Sequence, residues 1–201
     1  MSVLQELKKH LNPGQVYRRG DLAQWSTAVD RHLKWLLAEG ILQKLARGLY
    51  YCPAKASFGP VPPEDGKLVR AFLKSDEFLL TSPNLYNSLG VGTTQLYNKR
   101  LVYNHNRHGR YTLAGKVFEF RKKQKFPKVL SKEFLLVDLL NNLHELAEDR
   151  EAVLQSVKRK MLKKSKSRMK RVVNTYAGER TKTLFNQWVA EEALKNITLS
   201  K

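Results

Sequence analysis

Arg31 and Lys34 sit in the stretch TAVDRHLKWLL, residues 27–37, with Thr27 and Asp30 one helical turn before them. Placed on a helix, Val29, Leu33, Leu36 and Leu37 share one face. Thr27, Asp30, Arg31 and Lys34 then point away from it. Arginine carries a planar fork of donors that matches the guanine edge in a major groove, while threonine and lysine suit phosphate or base contacts. Arg18, Arg19, Lys44 and Arg47 flank this stretch. They are the expected contacts to a nucleic-acid backbone, with Arg47 able to enter a minor groove. The DNA-binding candidates are therefore Arg18, Arg19, Thr27, Arg31, Lys34, Lys44 and Arg47.

Other reactive residue types lack the company that chemistry needs. His105 and His108 stand in NHNRHGRY with no adjacent acid or cysteine, and Arg107 and Arg110 disfavour a cation there. Cys52 precedes Pro53 with no charged neighbour to activate a thiol. Gly90-Val91-Gly92-Thr93-Thr94 lacks the spacing and the lysine of a phosphate loop and reads as a turn. Asp138, Asn141 and Asn142 fit either a partner interface or an exposed helix face. No paired carboxylates or Ser/His/Asp set occurs at persuasive spacing, so no catalytic residue, metal or cofactor is expected.

The elements that must hold the candidate face follow from local signals. Ser2 and Gln5 have capping-box spacing, and Leu4, Leu7 and Leu11 form a helical stripe that Asn12-Pro13-Gly14 stops. Val16-Tyr17 reads as extended and Asp21 to Trp25 as a short second helix. Ser26 or Thr27 is expected to cap a third helix running to about Glu39, with Gly40 just beyond its end. Ile41–Leu45, the turn Ala46-Arg47-Gly48 and Leu49–Cys52 read as a hairpin, with glycine where a positive φ is needed. Three helices and then a basic hairpin is the order of a winged helix-turn-helix, whose third helix enters the major groove.

Residues 54–66, AKASFGPVPPEDG, read as a linker of polyproline character. Beyond it, helices are expected near Lys67–Leu73 and Pro83–Leu89. A small antiparallel sheet is expected over 98–121, with turns at Asn106–Gly109 and Ala114-Gly115. Ser131 and Glu133 open FLLVDLLNNLHEL, the most apolar helix. Residues 151–162 and two further helices broken near Ala177-Gly178 complete the chain. The fold class is α+β: a winged helix over 1–53, the linker 54–66, a mixed α/β domain over 67–148 and a basic helical region over 149–201.

The 201 residues carry a net charge of +19, the balance of a chain that meets a polyanion. Eleven lysines and arginines against Glu179 alone fall in 158–182. That segment suits a second nucleic-acid surface, a docking face for an acidic partner or a solvated helical face. Tyr176 is its sole aromatic, which argues against a platform for stacked single strands. One cysteine precludes an intrachain disulfide, no signal peptide is evident and no apolar run is long enough to span a bilayer. The expected location is cytoplasmic, or in a eukaryote nuclear, with no membrane partner.

ARGLYYCP, FGPVPP, FLLTSPNLYNSLGVGTTQLYNKRLVYNH and FEFRKKQKFP follow one another in this order. The arrangement over residues 3–148 resembles the AbiEi-like antitoxin and transcriptional regulator family of bacteria and archaea. The resemblance implies the antitoxin half of a type IV toxin–antitoxin pair used in phage defence. Its winged helix would repress its own promoter, here through Arg31, Lys34, Lys44 and Arg47. Its C-terminal domain would counteract a nucleotidyltransferase-like toxin without a stable complex being required. The residues from 151 onward lie outside the resemblance. The alternative left open is an RNA- or protein-binding module without sequence-specific DNA recognition.

Overall fold

The computed structural model describes residues 3–57 and 59–198, so Ser2 and its capping box lie outside the described residues. The chain is mixed α and β and divides into two compact units. Unit 1 comprises residues 1–80 and 102–122, and unit 2 comprises 81–101 and 123–201.

Unit 1 opens with α1 (Val3–Lys9), β1 (Gln15–Arg18) and α2 (Arg19–Leu22), followed by a 3₁₀ turn over Ala23–Trp25. Then come α3 (Val29–Ala38), β2 (Gln43–Ala46) and β3 (Leu49–Cys52). The three strands form an antiparallel sheet in the order β1-β3-β2. The second helix begins two residues earlier than expected. Asp21 accepts from the Arg18 backbone N–H at 3.0 Å and from its guanidinium at 2.7 Å, which closes the first turn there. Neither Ser26 nor Thr27 caps α3. The helix starts after Ala28, because the Ser26 hydroxyl is held 2.7 Å from Nδ1 of buried His32.

The end of α3 follows expectation. Gly40 has φ +69°, and the N–H groups of Gly40 and Ile41 bond to the carbonyls of Leu37 and Leu36 at 3.1 and 3.0 Å. A residue with no Cβ suits this left-handed C′ position. The hairpin is tighter than the predicted three-residue turn. A bulge at Leu45 lets Ala46 pair with Leu49, leaving Arg47-Gly48 as the tip, with Gly48 at φ +73°.

All four residues of β3 are buried, as in a strand covered on both faces. Tyr50 and Cys52 join Leu7, Leu22, Leu33 and Leu36 on the helical side. Leu49 joins a second core with Leu68, Leu73, Val102, Leu113, Phe118 and Phe120. That second core is built by α4 (Asp65–Leu73) and by the strands β6 (Phe78–Thr81), β7 (Arg100–Asn104), β8 (Gly109–Leu113) and β9 (Lys116–Lys122). Their sheet has the order β6-β7-β9-β8, with β8 and β9 antiparallel. Both sheets contribute to unit 1. The backbone of Ala114 even donates to the Leu45 carbonyl at 3.1 Å.

Residues 54–66, expected as a linker of polyproline character, contain a short strand pair. Ala54–Ala56 (β4) and Gly59–Val61 (β5) pair antiparallel, and the Tyr51 hydroxyl donates to the Val61 carbonyl at 2.7 Å.

Unit 2 is built round α5 (Lys132–Asn142), whose Ser131 cap accepts from the Phe134 N–H at 3.1 Å. Against it pack a 3₁₀ helix over Pro83–Leu89 and the helices α6 (Arg150–Leu162), α7 (Lys166–Tyr176) and α8 (Glu179–Thr198). The residues after 149 thus share a core with α5 through Val153, Val157, Met161, Met169, Val173, Phe185 and Trp188. Asp138 and Asn142 are buried, which removes them from any exposed face. Asp138 accepts from the Tyr86 hydroxyl at 2.8 Å, and Asn142 donates to the same hydroxyl at 3.2 Å.

The SPNLYNSLG stretch serves this unit. Ser82 caps the 3₁₀ helix, Asn84 bonds both the N–H and the carbonyl of Tyr97, and Asn87 donates to the Gln95 carbonyl. Gly90 to Thr94 is the turn that these bonds hold, with Glu148 accepting from the Thr94 and Gln95 N–H groups. Among the described residues, no helix is long and apolar enough to cross a membrane.

Candidate nucleic-acid interface

The amphipathy of α3 decides which of its side chains can meet a partner. Val29, His32, Leu33 and Leu36 are buried, while Thr27, Asp30, Arg31 and Lys34 are exposed. Arg31 lies over the ring of Trp35, its CZ 5.6 Å from the centroid. Lys44 and Arg47 on the hairpin are also exposed. Arg31, Lys34, Lys44 and Arg47 make no ion pair among the described residues.

Arg18 and Arg19, expected as backbone contacts, are engaged elsewhere. Arg18 is half-buried against Asp21. Arg19 makes a two-pronged bond to Asp30, at 2.7 and 2.6 Å. This contact holds the Asp30 carboxyl below the usual carboxylate range and raises the Arg19 guanidinium. Its effect on the face is to neutralise the one acid among the outward positions of α3.

Arg19 also ties the face together. Its backbone N–H donates to the Gly48 carbonyl at 2.9 Å while its side chain grips Asp30 on α3. One residue therefore bridges the hairpin tip and the exposed side of the helix. Arg47, beside Gly48, and Arg31, beside Asp30, fall on either side of that bridge. Sequence reading missed Trp35, 46% exposed on the same helix. Its position four residues after Arg31 was the available signal.

The basic segment is helical and ordered into unit 2. Among its eleven cations, Lys158 pairs with Glu191, Lys164 and Arg168 with Glu133, and Lys182 with Glu179. Lys160, Lys163, Lys166, Lys170 and Arg171 are exposed and make no ion pair among the described residues.

Glu133 is buried, and the hydrogen bond from Lys164 at 2.7 Å outweighs desolvation and holds its carboxyl below the ordinary range. A carboxyl depressed in the folded state contributes stability above its unfolded pKa and loses it as pH falls through the folded value. Glu133→Gln is therefore expected to lower the thermal midpoint most at neutral pH. The gap to the unmodified chain should close as pH drops below the ordinary carboxylate range. Melting curves across pH check this.

Asn104, buried between β7 and β8, accepts from the N–H groups of Asn106 and Arg107 and shapes the turn that carries His105 and His108. Arg107 lies over the Phe72 ring, its CZ 4.6 Å from the centroid. No group of three potential metal ligands occurs among the described residues. Burial pushes the Cys52 thiol up, away from the reactive thiolate. No protein-family model and no curated protein matches the chain.

Proposed function

We propose that residues 1–53 are a winged helix-turn-helix that reads double-stranded DNA, with α3 in the major groove and the β2–β3 hairpin as the wing. Arg31 bonds a guanine edge, Thr27 and Lys34 meet bases or phosphates, and Lys44 and Arg47 meet the backbone or the minor groove. The observation that supports this most is the Arg19 bridge. It joins hairpin tip to helix face and neutralises Asp30, leaving an exposed surface with unpaired cations on both elements.

The wider role proposed with it is that of a cytoplasmic, non-enzymatic antitoxin. It represses its own promoter through this face and counteracts a nucleotidyltransferase-like toxin. That role rests on the resemblance of the ARGLYYCP and SPNLYNSLG stretches to AbiEi-like regulators.

Trp35 favours a second reading. A large exposed aromatic on the same helix suits docking to a protein or to RNA bases.

An electrophoretic mobility shift separates the two. The protein is titrated onto its own upstream DNA, onto scrambled DNA of equal length and onto structured RNA, across a salt series. The proposal expects a shift specific to the upstream DNA that persists at physiological salt. Equal shifts on both DNAs that vanish with salt, or a preference for the RNA, would favour the docking module.

A further inference from the structure

An open groove of about 810 Å³ in unit 2 runs along the start of α8. Lys123, Lys125, Arg180 and Lys182 line it. So does Thr181, which is only 3% exposed. Two features of this groove have no explanation within the chain.

The first is the open end of the helix. The break at Ala177-Gly178 leaves Gly178 bonded to the Asn141 side chain at 3.0 Å, and Lys182 begins the intrahelical ladder on the Gly178 carbonyl. The N–H groups of Glu179, Arg180 and Thr181 have no acceptor among the described residues. They form the positive end of a long helix.

The second is the Thr181 hydroxyl. The residue is buried and borders the groove, and its hydroxyl has no hydrogen-bond partner among the described residues. The hydroxyl atom is not itself enclosed, so it is free to bond a ligand.

Lys125 and Arg180 add charge without an ion pair among the described residues. Lys123 is shared with Asp138 at 3.4 Å. The single acid in the lining, Glu179, is taken up by Lys182 at 2.7 Å.

We infer that this groove binds a phosphoryl group, seated on the first turn of α8 and bonded by the Thr181 hydroxyl, with Lys125 and Arg180 closing over it. Open N–H groups at a helix start, an inward hydroxyl and unpaired cations are the donor set that a phosphate oxygen takes. The groove has room for more than a bare phosphate. Two sources offer the chemistry: a free nucleotide or the phosphorylated end of a nucleic-acid strand. The inference does not depend on α3 reading DNA.

The test is calorimetric titration of the whole chain with inorganic pyrophosphate and with adenosine triphosphate. A short oligonucleotide with and without a 5′-phosphate is titrated alongside, and sodium sulfate at equal ionic strength is the reference. Thr181→Val is the decisive variant. It changes no charge, so the generic attraction of a +19 chain is held constant. Removing an unpaired hydroxyl should leave the thermal midpoint unchanged or raise it. Saturable pyrophosphate binding that weakens roughly tenfold in Thr181→Val, and also weakens in Arg180→Ala, is the expected result. Tighter binding of the triphosphate then assigns a nucleotide, and tighter binding that needs the 5′-phosphate assigns a strand end. Pyrophosphate that binds no better than sulfate, or equally well to Thr181→Val, overturns the assignment.

Discussion

Changing Arg31, Lys34 and Arg47 together to alanine is expected to weaken binding to the upstream DNA roughly a thousandfold. A bidentate arginine–guanine contact is worth about 1–3 kcal/mol of discrimination. Lys34 and Arg47 each release condensed counterions, so the slope of log affinity against log salt should flatten by about 2. All three side chains are exposed and make no ion pair among the described residues, and only Arg31 has a ring contact, to Trp35, so the thermal midpoint should move little. The matched control removes Lys166, Lys170 and Arg171, equally exposed on α7 of unit 2. It should flatten the salt dependence of non-specific binding and leave discrimination between upstream and scrambled DNA intact. Equal loss in both variants would take α3 out of the major groove and leave net charge as the cause.

Asp138→Ala should have the largest effect on stability. Asp138 is fully buried and accepts from the Tyr86 hydroxyl, with the Lys123 ammonium 3.4 Å away. Its removal takes an acceptor from the buried Tyr86 hydroxyl and a counter-charge from the half-buried Lys123, a loss of about 3 kcal/mol. Urea unfolding should show a lower midpoint for the alanine variant. Asp138→Asn, which keeps an acceptor for Tyr86 but no charge for Lys123, should fall between the two. If alanine and asparagine unfold alike, the hydroxyl bond contributes little and the Lys123 charge dominates.

What the sequence made legible was local. The apolar face of α3, the glycine at its end, the basic hairpin, the Ser131 cap and the break before α8 all rest on signals within a few residues. What it hid was set by partners distant in the chain. AKA and GPV look like loop by composition, yet they pair, and Val61 takes the Tyr51 hydroxyl from ten residues away. FLLT is too short for periodicity to separate strand from helix, and its sheet neighbour β7 arrives about twenty residues later. Arg19 looked available because its partner Asp30 lies on another helix, eleven residues on. The tail's membership of unit 2 did leave a trace. Val153, Val157 and Met161 recur every four residues, an inward stripe masked by the lysines around it.

Because unit 1 is completed by residues 102–122, the order of synthesis matters to this chain. When residue 80 has been made, the outer side of β3 and the inner side of α4 lack Val102, Leu113, Phe118 and Phe120. A ribosome moving at roughly 5–20 residues per second takes several seconds to supply them. For that interval Leu49, Leu68 and Leu73 stay open to other nascent chains and to chaperones. The same dependence bears on cutting the gene. A fragment ending at residue 53 or 66 carries α3 and the hairpin but none of β6–β9, so its hairpin would present Leu45 and Leu49 to water.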